Sequence, residues 1–209
     1  MKALILAPFL LSSSLFAELS LQGHIDWQSQ VYLTHPEDKH STNNTLFGQI
    51  EADYSYEDFQ GIIKASAQGD SYDLKGSSEK NERSFMRLDE AYVKYDSEDS
   101  QILVGKNIRF WGALEVDNIV DGFNPDDFRS ELFNPDKLGV WNASYTYYTD
   151  SGELALIIKA SEPDQKMAAY PYVYYFFPEF VSYDANLQTE KSAHYPTVYL
   201  KYSGSTDTE

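Results

Sequence analysis

From residue 19 to residue 33 the odd positions read Leu19, Leu21, Gly23, Ile25, Trp27, Ser29, Val31 and Leu33, while the even positions carry Ser20, Gln22, His24, Asp26, Gln28 and Gln30. Successive side chains of a strand point to opposite faces, so this period-two alternation describes a strand with one apolar face. The pattern recurs. Leu46, Gly48, Ile50, Ala52 and Tyr54 alternate with Phe47, Gln49, Glu51, Asp53 and Ser55, and Ile63, Ala65, Ala67 and Gly69 alternate with Lys64, Ser66, Gln68 and Asp70. Ala91, Val93 and Tyr95 stand against Glu90, Tyr92 and Lys94; Trp141, Ala143, Tyr145 and Tyr147 stand against Asn142, Ser144 and Thr146. Leu154, Leu156 and Ile158 mark a further strand, and Val198, Leu200 and Tyr202 another. Residues 101–111 are apolar on both parities at their start, which gives an eighth strand whose facing is undetermined. No segment has the 3.6-residue period of a long amphipathic helix, so the fold class is all-β and antiparallel.

Connection lengths separate the two architectures such strands can build. Short polar turns sit at residues 57–60, 96–100 and 149–152, and longer connections run over residues 35–43, 71–83, 112–139 and 161–194. A soluble sandwich has no reason to keep its long loops at one end. Outer-membrane barrels do, with the short set periplasmic. A barrel pairs every backbone group between strands and crosses the bilayer in about 9–11 residues with only alternate residues apolar. Mean hydropathy of −0.48 is therefore compatible with membrane insertion. The expectation is an antiparallel transmembrane β-barrel with about eight strands present, and a soluble β protein is the alternative. Trp27, Tyr54, Tyr95, Trp111, Tyr147 and Tyr202 lie near strand ends, where aromatic girdles meet the membrane interface. Tyr32, Tyr56, Tyr92 and Tyr148 are further candidates for the same role.

The chain opens Met1-Lys2, runs apolar from Ala3 to Leu11 and reaches Ser12-Ser13-Ser14-Leu15-Phe16-Ala17. This reads as a secretory signal peptide over residues 1–17, too short for a transmembrane helix, leaving residues 18–209 as the barrel. The absence of Cys excludes a lipidated cysteine and disulfide stapling. A formal net charge of −17 makes nucleic acid a poor partner. After the last strand the residues Ser203 to Glu209 are polar, whereas a closing strand of a bacterial barrel usually ends in an aromatic residue. Eight strands can close a barrel, but the polar ending reads as the N-terminal part of a larger barrel cut at a turn.

Three local patterns follow in order: Leu88-Asp89-Glu90-Ala91-Tyr92-Val93, then Gly105-Lys106-Asn107-Ile108-Arg109-Phe110-Trp111-Gly112, then Asn124-Pro125-Asp126-Asp127. Together they resemble a broad, largely uncharacterised family of porin-like Gram-negative outer-membrane β-barrels, at motif level over about residues 84–148. Many members of that family place Arg directly before Trp-Gly; here Phe110 intervenes after Arg109. The resemblance implies membership and an outer-membrane location with lipid as a partner, and no substrate.

Residues 112–139 form the most informative non-strand segment. Asn124 before Pro125 reads as a helix cap with Asp126 and Asp127 in the first turn, and Asn134-Pro135-Asp136 repeats the device, with Gly139 as a stop. Such turns suit either a constriction folded into the lumen or a capped surface loop. Glu90, Lys106, Arg109, Asp117, Asp121, Asp126 and Asp127 are the candidate pore-lining or constriction residues. A structural Glu90–Arg109 ion pair is the plainer reading of those two, and Lys106 conflicts with any uniformly apolar lipid face. The acidic residues, with Asp136, could gather calcium, yet they lack the EF-hand spacing, and solvated or capping carboxylates are the simpler account.

His24, His35, His40 and His194 show no metal-ligand spacing, and neither a Ser-His constellation nor a nucleophile elbow is legible. The expectation is a non-enzymatic protein with no metal and no cofactor. The aromatic stretch from Tyr170 to Pro178 suits stacking on sugars, contact with another protein, or packing over the barrel mouth. The leading functional expectation is passive diffusion of small solutes through an outer-membrane pore. A non-conducting barrel for surface binding or anchoring is the alternative.

Overall fold

The computed structural model describes residues 17–31, 42–74, 83–109, 123–129, 135–161, 165–166 and 196–204. Eight strands make one antiparallel sheet: β1 (Ala17–Val31), β2 (Thr42–Tyr56), β3 (Phe59–Asp70), β4 (Phe85–Asp96), β5 (Ser100–Asn107), β8 (Val140–Thr149), β9 (Gly152–Lys159) and β10 (Thr197–Gly204). Each of these strands pairs with the next one along the chain, so the topology is a meander in the order β1-β2-β3-β4-β5-β8-β9-β10. Two short strands, β6 (Asp126–Asp127) and β7 (Asp136–Lys137), form a separate ladder, and a single helical turn, α1 (Ser71–Leu74), follows β3. Each of the eight strands read from alternation is present. Among the described residues they do not close on themselves, because β1 and β10 stand at the two edges.

Residues 57–58, 97–99 and 150–151 turn the chain at one end of the sheet, and the strand ends joined by the longer connections are all at the opposite end. Tight turns suit the first end. Glu57 takes a positive φ of 49°, and the Ser97 hydroxyl accepts from the Ser100 amide at 3.2 Å.

The sheet's two faces are unlike, and the register makes each row continuous across strands. One row runs Leu21, Ala52, Ile63, Ala91; another runs Val93, Val104, Ala143, Ile158, Val198. This face is apolar and open: Ile50, Ile63, Val104, Leu156 and Leu200 are all exposed. The opposite face is polar and sheltered. Thr45, Ser66, Gln68, Asp70, Asp89, Asn107, Asn142, Ser144 and Thr146 on it are all buried. A water-soluble fold puts these classes the other way round.

At the short-turn end the open face carries Tyr54, Tyr56, Phe59, Tyr95, Tyr147 and Tyr202, with Phe59 and Tyr95 as direct cross-strand partners whose rings lie 4.8 Å apart. Trp27 and Trp141 stand on the same face toward the long-loop end, 73% and 51% exposed. Trp141, counted above only as a strand residue, thus shares the open face with Trp27. Tyr92 and Tyr148 belong to the sheltered face, since Tyr92 pairs with Gly105 and Tyr148 with Glu153, and this corrects their placement among the girdle aromatics. Trp111 and Tyr32 lie outside the described residues.

Two local devices set the sheltered face. A register shift between Lys64 and Ala65 pairs Lys64 with Glu90 and Ala65 with Leu88, which leaves Asp89 as the extra residue of β4. Bulges re-aim side chains, and this one sends Arg87, Asp89 and Glu90 to the same side. Gly105 adopts φ +142°, and a Cβ there would stand 2.3 Å from the Ala91 carbonyl oxygen and 2.7 Å from the Tyr92 Cβ. Only glycine lets β5 lie against Tyr92.

Candidate functional site

The sheltered face carries three polar clusters and a strap that joins two of them. The first cluster is centred on Asp70 at the long-loop end of β3. Its Oδ2 accepts from Asn43 Nδ2 at 3.1 Å and Thr45 Oγ1 at 2.8 Å, and Arg83 Nη1 lies 3.4 Å away. Asp70 and Arg83 are almost wholly buried, so the contact couples two desolvated charges.

The second cluster is centred on Arg87. Its guanidinium meets Asp89 on its own strand, Asp127 at 2.6 Å and Asp136 at 2.9 Å. Asp127 is shared: Arg129 donates to it through Nε at 2.8 Å and Nη2 at 2.6 Å. The Phe85 ring stacks under both guanidinium groups, at 4.8 Å and 4.3 Å. Asp89 in turn accepts from Ser66 Oγ at 3.0 Å. Arginine suits this arrangement because its planar fork donates in several directions at once.

Asp127 and Asp136 belong to the β6–β7 ladder, so Arg87 ties this ladder back onto β4. The segment is reinforced by Lys137 on Asp126 at 2.9 Å and by Lys166, whose backbone exchanges hydrogen bonds with Asp126 and Phe128. Its other anchor is Phe123, 2% exposed, which packs with Val140, Ala155, Ile157 and Tyr199 while its carbonyl accepts from Lys159 Nζ at 2.6 Å. The strap thus reaches from β9 and β10 to β4 across the sheltered face. Gly139 at its base passes so close to Asp89 that a Cβ would fall 2.2 Å from that residue's carbonyl oxygen.

The helix expected at Asn124 is absent: Asp126 and Asp127 are extended and paired with Lys137 and Asp136. Asn124 is a staple instead. Its Oδ1 accepts from the Arg109 amide at 2.9 Å, and its Nδ2 donates to the Leu138 carbonyl at 2.8 Å, closing the base of the strap. The ladder wins over the capped helix because Arg87, Arg129 and Lys137 neutralise the same carboxylates that a helix dipole would only weakly favour.

The third cluster lies around Arg109, just past β5. Nε donates to Asn142 Oδ1 at 3.1 Å, Nη2 donates to Ser144, and Asn142 Nδ2 bonds Asn107. Partial burial pushes the Arg109 guanidinium down from its ordinary value. Glu90 shares this sheltered side, but it accepts from the Ile108 amide at 2.9 Å rather than from Arg109, so the expected ion pair is not formed.

Lys106 pairs with Ala91 and Trp141 in the apolar rows of the open face, away from the sheltered clusters, and its ammonium bends to the Leu88 carbonyl. Asp117 and Asp121 lie outside the described residues, as do His35, His40, His194, residues 170–178 and residues 1–16. Among the described residues no group of His, Asp and Glu is arranged to hold a metal ion. Near the short turns the sheltered face is lined by Glu18, Ser20, Gln22, Asp53 and Ser55, with Glu51 paired to Lys64 at 3.2 Å.

Sequence reasoning singled out Glu90, Arg109, Asp126 and Asp127 and missed Arg87, Arg83 and the tether made by Asp136. One signal for Arg87 was available. The apolar row changes parity between Leu88 and Ala91, which marks a bulge and puts Arg87 and Asp89 on one face. Comparison with family models, with curated proteins and with solved structures gives no match.

Proposed function

We propose that these strands are wall strands of an outer-membrane β-barrel and that the protein is a porin-like channel for passive diffusion of small solutes. The observation that carries this reading is the inversion of polarity: aliphatic and aromatic rows on the open face, with amides, hydroxyls and ion pairs sheltered behind them. Exposed apolar patches beyond a few hundred Å² mark interaction surfaces, and a face apolar along eight strands suits hydrocarbon. Aromatic rows at its two ends fit the interfaces, and long connections gathered at one end fit the extracellular side. In this reading the described parts of the strap, residues 123–129 and 135–139, narrow the lumen.

The second reading, a non-conducting barrel that binds or anchors at the cell surface, is favoured by one feature. Phe123, Val140, Ala155 and Ile157 form a dry cluster where a channel would be wet. Conductance separates the two. Full-length protein refolded in detergent and added to planar bilayers is expected to give discrete current steps; a folded protein that never conducts would return the anchoring role.

A further inference from the structure

Arg109 is a partly buried cation whose side-chain partners, among the described residues, are neutral. Arg87 and Arg129 meet Asp127, Lys64 meets Glu51 and Lys137 meets Asp126, all as ion pairs, whereas Arg109 meets an amide oxygen and a hydroxyl. A guanidinium carries more N–H donors than those two acceptors use. Withdrawing a charge from water without a counter-charge is costly, and a mobile anion removes the cost. The group is also held still. Asn124 fixes its backbone amide, Glu90 fixes that of Ile108, and Asn142 and Ser144 hold the side chain. A planar fork held in this way suits an oxyanion, whose two oxygens it can take together.

We propose that Arg109, flanked by Asn142 and Ser144, is a binding site for the oxyanion group, carboxylate or phosphate, of a small solute. The site rests on the channel reading for its biological use, but binding itself requires only the folded protein. The local arrangement decides the sign here despite the acidic net charge, because the side chains that the Arg109 guanidinium meets among the described residues bring hydrogen-bonding dipoles and no negative charge.

The test is calorimetric titration of the detergent-folded full-length protein with acetate, succinate and inorganic phosphate, chloride serving as the spherical control. Saturable binding of at least one oxyanion is expected, weakened at least tenfold in Arg109→Gln and in Arg109→Lys, which keeps the charge and loses the fork. Ser144→Asp places a carboxylate beside the guanidinium and is expected to abolish binding while the protein keeps its heat-modifiable migration on gels. This variant decides the matter if the Arg109 variants fail to fold. The relative strength of the acetate, succinate and phosphate isotherms assigns the oxyanion class. Absence of saturable oxyanion binding by the folded protein, or binding undiminished in folded Arg109→Gln or Ser144→Asp, overturns the proposal. A protein that binds oxyanions through Arg109 yet does not conduct would instead count against the channel.

Discussion

At the scale of single residues, the sheltered face is held by charges that are useful only as sets. Arg87 serves three carboxylates, so Arg87→Met leaves Asp89 and Asp127 buried with less compensation. Breaking a buried pair by removing one partner costs about 3–5 kcal/mol. Lys94→Met removes a partner of Asp96 near the short-turn end, where both groups are partly exposed, and a loss within about 1 kcal/mol is expected. Denaturant titration in detergent or lipid, read by far-UV circular dichroism, compares the two; equal losses would contradict the central place given to Arg87. Gly105→Ala is expected to destabilise by about 1–3 kcal/mol from backbone strain alone, since its φ of +142° suits only glycine. An unchanged midpoint for that variant would mean that β5 and Tyr92 do not pack as described.

The strands themselves were the most legible part of the sequence. Where one face is polar and the other apolar, alternation identifies both the element and its facing, as for β1 and β2. At Ile102, Leu103 and Val104 it identifies the element and not the facing, because Leu103 is buried on the sheltered side in spite of being apolar. Pairing with β4 and β8 supplies the missing information, and no local pattern contains it. The β6–β7 ladder was illegible for a related reason. Two rungs stabilised by Arg87 from a different strand leave no periodicity in their own segment, and Asn124-Pro125 there resembles a helix start.

The elements also give the sharpest substitution contrast. Ile50→Arg puts a charge into the middle of the apolar rows and is expected to cost about 2–4 kcal/mol in a bilayer. Gln22→Arg, on the opposite face of β1 beside Glu51, is expected to be nearly neutral. Reversible unfolding in lipid vesicles checks the pair, and a Gln22→Arg penalty as large as that of Ile50→Arg would deny the assignment of faces.

At the scale of the whole molecule, acidity and low mean hydropathy stop being puzzling once only every second strand residue has to be apolar. The carboxylates sit in connections and on the sheltered face, where cations from β3, β4 and the strap meet many of them. Everything proposed about function depends on which face meets lipid. Because the chain has no Cys, single cysteines can be placed along β8 at Asn142, Ala143, Ser144, Tyr145, Thr146 and Tyr147, spin-labelled, and the refolded protein reconstituted in vesicles. Collisional relaxation by oxygen and by a water-soluble nickel chelate then reports each position. The account predicts alternation in opposite phase, with oxygen dominant at 143, 145 and 147 and the nickel chelate relatively favoured at 142, 144 and 146. Nickel access at 143, 145 and 147 equal to or above that at their neighbours would contradict it.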